Sequence, residues 1–411
     1  MEAMHTQTFS ANKFGTAVSF EDTAVAFAMK TDAQLYQSYL LFKSINYNWL
    51  VNMGTGLVQW GLKVGLPIKG LLKATLFKQF CGGESINDCE AVIRQMAKFG
   101  VGAILDYSVE GEKTEAGFDK TRQETIATIH YAAQHRTEIP FCVFKVTGLA
   151  PFRLLEKVSA SMKGEGLPLL PSELKTFERV RERIDEICRT AAENNVRIFI
   201  DGEETWIQDA IDALAYEMME KYNRKQAIVY NTYQMYTTDR MEKLRQARAL
   251  AVRQGFYLGA KLVRGAYMEK ERARAAQMGY PDPIQPNKEA CDRDFNEALK
   301  FCIDNKQRIA LCAGTHNEDS CYFLTALMEK YNIKPNDPDV YFAQLYGMSD
   351  NISFNLAKAG YNVAKYLPYG PVEAVMPYLF RRAQENTSVA GQSSREFLLV
   401  QRELQRRKGK R

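Results

Sequence analysis

Eight short apolar segments, each followed by a longer amphipathic one, constrain this chain more than any other feature. The segments fall at residues 101–106, 141–146, 197–201, 227–232, 257–263, 308–313, 339–345 and 362–367. Between them apolar residues recur at helical spacing, as over 173–194, 205–222, 239–254 and 317–330. Strands that alternate with helices build βαβ units and therefore a parallel sheet. Eight such units predict a closed (β/α)8 TIM-like barrel, with an open doubly wound sheet as the alternative. Gly54-Thr55-Gly56 lacks the third glycine of a dinucleotide-binding turn and follows no strand. A nucleotide cofactor would therefore bind in another way.

The barrel takes residues 87–395 and leaves two flanks. Residues 1–86 read as an N-terminal helical arm, with helical spacing from Leu35 to Ile45 and from Trp60 to Phe80, broken at Pro67 and closed at Gly82-Gly83. The uncharged stretch from Ser44 to Leu62 is interrupted by Asn46, Asn48, Asn52, Gln59 and glycines. It suits packing helices or a membrane-surface segment better than a span. Residues 396–411 read as a basic tail, either a solvated helix end or a weak contact for anionic lipid. Met1-Glu2-Ala3-Met4-His5 carries no signal-peptide pattern. The net charge of +5 is spread along the chain and does not point to nucleic acid. The eight cysteines form no C-x-x-C pair and several sit in apolar runs, so reduced core residues are expected. His5, His130, His135 and His316 show no metal-ligand spacing, and no metal is expected. These features suit a cytoplasmic protein, with peripheral contact at the inner face of the membrane as a further expectation.

Barrel enzymes place their chemistry at the C-terminal ends of the strands. Here those ends carry Asp106, Lys145, Asp201, Asn231, the run from Lys261 to Tyr267, Thr315-His316-Asn317, Gln344 and Leu345, then Lys365, Tyr366 and Tyr369. Strand alternation sends Lys261 and Val263 inward together. Lys145 either points into the mouth or pairs with Asp201. Thr315-His316-Asn317 opens a helix, and a helix N-terminus suits phosphate; His316 is alternatively a packed or capping residue. Arg381 and Arg382 are adjacent on a helix, so their side chains diverge by roughly 100°. Arginine suits planar recognition of a carboxylate. The alternative is a solvated face with Arg381 paired to Glu385 one turn on.

Four segments resemble the proline dehydrogenase family. They are KLVRGAYME from Lys261, YLPYGPV from Tyr366, YLFRRAQEN from Tyr378 and NTYQ from Asn231. Each alone is modest; all four, in order and at strand ends, are specific, and the resemblance covers the barrel. It implies oxidation of L-proline to Δ1-pyrroline-5-carboxylate, the first step of proline catabolism. It also implies hydride transfer to N5 of a non-covalent FAD and electrons passed on to a quinone. For the substrate it implies Arg381, Arg382 and Lys145 on the carboxylate, with Tyr267, Leu345 and Tyr366 walling the ring and Asp201 orienting the cations and tyrosines. For the flavin it implies Lys261 near the isoalloxazine, with Arg264 the second candidate. Asn231 and Gln234 would bond its edge, Val263, Gly265 and Ala266 would lie close by, and Gln344 belongs with this set at the end of strand seven. Lys288 with Thr315, His316 and Asn317 would lie on the pyrophosphate, and Glu385 on ribityl or adenosine hydroxyls. Family members that favour hydroxyproline tend to carry a smaller residue at the position of Tyr366. One departure is Asp201-Gly202-Glu203, where the family more often has alanine in the middle.

The rival readings are a hydroxyproline dehydrogenase, another flavin barrel such as a folate reductase, a Schiff-base lyase using Lys145, Lys261 or Lys365, and a binding protein without turnover. With 411 residues the chain leaves no room for a second aldehyde dehydrogenase domain, so a monofunctional enzyme is expected.

Overall fold

All eight strands form, within two residues of the expected bounds. A computed structural model describes residues 14–45, 70, 73–108, 112–166, 168–388 and 392–409; the side chains of 45, 383–388 and 392–394 are outside the description. Gly54-Thr55-Gly56, Pro67 and most of the uncharged arm stretch lie outside the described residues. The strands are β1 (Val101–Tyr107), β2 (Phe141–Phe144), β3 (Arg197–Ile200), β4 (Val229–Gln234), β5 (Leu258–Val263), β6 (Ile309–Gly314), β7 (Val340–Leu345) and β8 (Val363–Tyr369). Each lies parallel to the next, and β8 pairs with β1 from Val101↔Val363 to Tyr107↔Tyr369. That pairing closes the barrel and removes the open-sheet alternative.

Helices surround it: α1 (Thr23–Ala26) and α2 (Asp32–Ile45) in the arm, then α3 (Ile86–Ala97), α4 (Glu115–Gln134), α5 (Phe152–Met162), α6 (Pro171–Glu193) and α7 (Thr205–Tyr222). They continue with α8 (Arg240–Gln254), α9 (Met268–Met278), α10 (Lys288–Asp304), α11 (Glu318–Lys330), α12 (Asp350–Lys358), α13 (Val372–Ser388) and α14 (Gln392–Lys408). Asn287 caps α10 by accepting from the Ala290 amide at 2.8 Å, and Asn317 caps α11 from the Ser320 amide at 2.9 Å. Asparagine oxygen satisfies donors that the first helical turn leaves unpaired.

The strands are buried on both faces, which is why they read as apolar runs. Alternation divides them. Ile198 and Ile200 join the core under the helices, while Phe199 joins the barrel interior with Phe141, Tyr230 and Tyr341. Phe141 stacks on Phe199 at 4.4 Å and meets Tyr230 and Tyr341 edge-on at 5.5 and 4.8 Å. Ala310, Ala343 and Ala364 face these rings from β6, β7 and β8. Large residues thus meet small ones, and the lower barrel is filled. Polar chemistry is left to the upper end.

The C-terminal stretch is not a tail. It is the docked helix α14, whose Glu403 is 0% exposed and accepts from Thr23 Oγ1 at 3.0 Å. Arg406 and Arg407 pair with Glu403 at 2.7 Å, Arg407 also with Asp32 at 2.8 Å, and Arg402 with Glu21 at 2.6 Å. Arg402 and Arg407, suggested for lipid contact, are therefore engaged with the arm, and Arg406 with Glu403 of its own helix. Arm, α13 and α14 share a second apolar core that includes Phe27, Phe42, Phe80, Val375, Leu379, Leu399 and Val400. Among the described residues no helix is long and apolar enough to cross a membrane.

Candidate active site

At the centre of the mouth Lys261, inward on β5, is 4% exposed. Its ammonium donates to Asp201 Oδ1, just past β3, and at 2.6 Å to the Tyr366 hydroxyl on β8. Tyr366 in turn donates to Asp201 Oδ1 at 3.3 Å. The ammonium also lies 5.3 Å from the Phe199 ring centre and 4.9 Å from that of Tyr366. The sequence alone offers Lys145 as a partner for Asp201; the structure gives Lys261. A buried ammonium needs a counter-ion, and removing one partner of such a pair costs about 3–5 kcal/mol. Burial, and then the Asp201 charge, push the Tyr366 phenol well above its usual range, so it remains a proton donor.

Around this centre runs a cationic rim. Arg264, past the end of β5, binds Asp292 at 2.7 Å, Thr315 Oγ1, and Ser320 Oγ at 3.0 Å. Lys288 pairs with the other oxygen of Asp292. Arg264 therefore ties β5 and β6 to the starts of α10 and α11. Gly265 follows with φ of 140°, and a Cβ there would stand 2.4 Å from the Tyr236 ring. Only glycine fits that turn. Gly265 and Ala266 are exposed, Val263 and Tyr267 half-buried, so backbone lines this side of the mouth.

Next to Thr315, His316 Nδ1 lies 2.8 Å from Ser349 Oγ, and its Nε2 accepts from the Leu345 amide at 3.4 Å. An amide only donates, so the ring proton sits on Nδ1. Burial, then the positive charges of Lys365, Arg382 and Arg264, push the imidazole down to about 3. His316 is neutral at physiological pH, and its surroundings place Arg382 beside the β6–β7 end of the mouth. Arg382 is itself buried, with its guanidinium 5.2 Å from the Tyr378 ring centre one turn earlier on α13. Leu345 packs against the same apolar cluster as α13. Lys365 turns away from the mouth and is held by Asp350 at 2.8 Å and by the Met348 carbonyl at 2.6 Å.

Two expected flavin contacts face the wrong way. Asn231 is 0% exposed and bonds Asp212 on α7 at 2.9 Å, because its neighbours Tyr230 and Thr232 take the inward positions. Gln344 donates to the Thr315 carbonyl at 3.1 Å and accepts from Ser353 Oγ at 2.8 Å, on the helix side of β7. Gln234 does reach the interior rim and donates to the Glu203 carbonyl at 2.6 Å. A Cβ on Gly202 would lie 3.1 Å from Gln234 Cγ, so glycine gives that side chain its room. Lys145 lies half-buried just past β2, within electrostatic reach of Glu203. Arg381 is half-buried on α13, and the side chain of Glu385 lies outside the described residues.

Sequence reasoning missed Glu203 and Asp292. Glu203 accepts from the Thr147 amide at 3.1 Å and from its hydroxyl, fixing the turn after Lys145. Burial pushes its carboxyl up to about 7. Asp292 stands four residues after Lys288 on one helix face, a spacing that signals a pair. All eight cysteines are buried and unpaired. Among the described residues no three His, Cys, Asp or Glu side chains are grouped to hold a metal.

A closed parallel barrel with its polar groups gathered at the C-terminal strand ends is the layout of a barrel enzyme. The family model described as Proline dehydrogenase matches residues 89–395, and the chain belongs to this family of oxidoreductases. It is 34% identical over 427 residues to "Proline dehydrogenase 1, mitochondrial" of Dictyostelium discoideum, covering 94% of this chain and 74% of that protein. It is 30% identical over 433 residues to "Hydroxyproline dehydrogenase" of Xenopus laevis, covering 95% and 90%. Other relatives described as proline dehydrogenases are much longer, and the chain spans 39% to 42% of them. The crystal structure of proline utilization A from Bdellovibrio bacteriovorus, inactivated by N-propargylglycine, matches with a TM-score of 0.70 at 21% identity, over 92% of this chain and 40% of that one. That likeness is one of fold.

Proposed function

We propose that this chain oxidises L-proline to Δ1-pyrroline-5-carboxylate with a bound FAD, and that the electrons pass on to a quinone. The observation that carries the reading is the buried Lys261–Asp201–Tyr366 triad beside the open backbone of Gly265 and Ala266. The residues present fit a flavin. Val263, Gly265 and Ala266 leave a side of the mouth without bulky side chains, Gln234 offers an amide, and Arg264 and Lys288 bring positive charge to the starts of α10 and α11. The flavin supplies the electron acceptor that side chains lack.

The chain supplies binding and electrostatics. Arg381, Arg382 and Lys145 hold the substrate carboxylate. Tyr267, Leu345 and Tyr366 wall the ring. Asp201 fixes Lys261 and Tyr366 through one oxygen, Oδ1, so that the ammonium keeps its position. The quinone is proposed on chemical grounds, since a reduced cofactor needs an acceptor. The location proposed is the cytoplasmic side of a membrane that holds this quinone.

One observation favours a second substrate, the likeness to a protein named hydroxyproline dehydrogenase. Tyr366 argues against it, because two hydrogen bonds hold its bulk in place over the ring site. Anaerobic titration with L-proline, followed in the visible flavin spectrum, tests the reading. Bleaching by L-proline but barely by trans-4-hydroxy-L-proline is expected, and Tyr366→Ser should narrow that preference about tenfold. A yellow protein that L-proline leaves unchanged sinks the substrate. A colourless protein that FAD does not reconstitute sinks the cofactor.

A further inference from the structure

The family-matched segment ends at residue 395, and the next residue reaches back toward the mouth. Glu396, on the first turns of α14, is 4% exposed, and its Oε1 accepts the backbone amide of Ser349. Ser349 is the N-cap of α12 and sits at φ 50°, ψ 43°. This left-handed conformation is rare for a residue with a side chain and persists only where its surroundings enforce it. The amides at a helix start lack partners within the helix, and the helix dipole favours an acidic acceptor there. Ser349 Oγ is in turn the partner of His316 Nδ1 at 2.8 Å. Glu396 thus stands two hydrogen bonds from the imidazole, through a residue whose backbone needs holding.

We propose that Glu396 is a positioning residue: by gripping the Ser349 amide it keeps the Ser349 hydroxyl against His316 and so sets the tautomer and orientation of that ring. The effect on the flavin rests on the reading that His316 faces the cofactor. Asp350, Lys365 and Lys30 surround the carboxyl, and burial followed by the Asp350 charge raises it to about 7. The carboxyl oxygen accepts the amide whether or not the group is ionised, so the neutral isostere should do the same work.

The chain has four histidines, which makes His316 readable by ¹⁵N-histidine NMR of the full-length protein, its signals assigned by their loss in His316→Asn. In the wild type the two ring nitrogens should report a single Nδ1–H tautomer. Glu396→Ala should draw the two shifts toward their mean, and Glu396→Gln should restore them. Arg407→Ala, which loosens the far end of α14 from Asp32, should lower Tm without moving His316. If Glu396→Ala does not fold, Glu396→Asp, one methylene short, takes its place with the same expectation. Unchanged His316 signals in Glu396→Ala, or in Glu396→Asp where it takes its place, or an equal shift in Arg407→Ala, overturn the proposal. FAD affinity, measured by fluorescence quenching, should weaken about tenfold in Glu396→Ala. If His316 moves and FAD affinity does not, the positioning role stands and the contact of His316 with flavin falls.

Discussion

The floor and the mouth of the barrel are built from the same inward-facing rows, yet each accommodates an inward-facing cation differently. The chain through β3 supplies both: Arg197 at the bottom, Phe199 between, Asp201 just above. Arg197 lies over aromatic faces, 5.5 Å from the Phe141 ring centre and 5.4 Å from that of Tyr341. Lys261 has rings beside it too, but its main partner is a carboxylate. A guanidinium is weakly hydrated and tolerates aromatic stacking, whereas an ammonium is strongly hydrated and calls for direct hydrogen bonds. The floor is thus suited to stability, and the mouth holds a charge whose loss should be felt in chemistry.

Substitutions at the two levels should separate these roles. The largest effect is expected for Lys261→Met, a loss of at least about 10³-fold in proline:acceptor kcat/KM, equivalent to roughly 4 kcal/mol. Retention of a tenth of wild-type activity would remove the mouth from the chemistry. Phe141→Ala is the counterpart on the floor. It should cost about 3–5 kcal/mol in urea unfolding and leave kcat/KM of the folded enzyme within about threefold. A large kinetic loss there would dissolve the distinction between the levels.

The third prediction concerns pH. His316 in the folded protein resists proton uptake down to about 3, against an ordinary value of 6.5. Its contribution to stability is therefore complete above pH 6.5 and is lost as pH falls from there toward 3. Between pH 6.5 and pH 5 the loss should approach about 2 kcal/mol, and His316→Asn should flatten that part of the profile. An unchanged slope would show that the ring is protonated in the fold. The smallest effect is expected for Gly202→Ala, where a Cβ 3.1 Å from Gln234 must push that side chain by a few tenths of an ångström. A fall of about threefold in FAD affinity with little change in Tm is expected, and no change would mean that Gln234 gives way freely.

The barrel was legible because strand and helix periods differ and repeat eight times. That Asp201, Lys261 and Tyr366 lie at the mouth was legible because they are polar groups at the ends of predicted strands. Asn231 and Gln344 misled for a physical reason. Strands buried on both faces show no polar alternation, so the inward side of VYNTYQ and VYFAQL is not marked by composition. The docking of α14 was hidden for another reason. Its basic residues find acidic partners such as Glu21 and Asp32, more than 370 positions away, and local pattern carries no trace of them.

Another contact of this kind brings the two flanks of the barrel together. The bond from Thr23 to Glu403 joins positions 380 apart, so α1 and α14, the first and last of the described helices, lie side by side. Contacts between such distant positions carry the greatest entropic cost of closure and form late. On a ribosome the arm emerges before the barrel, yet its basic and apolar partners in α14 are made only after it. The arm must therefore wait through synthesis of the whole barrel before it settles.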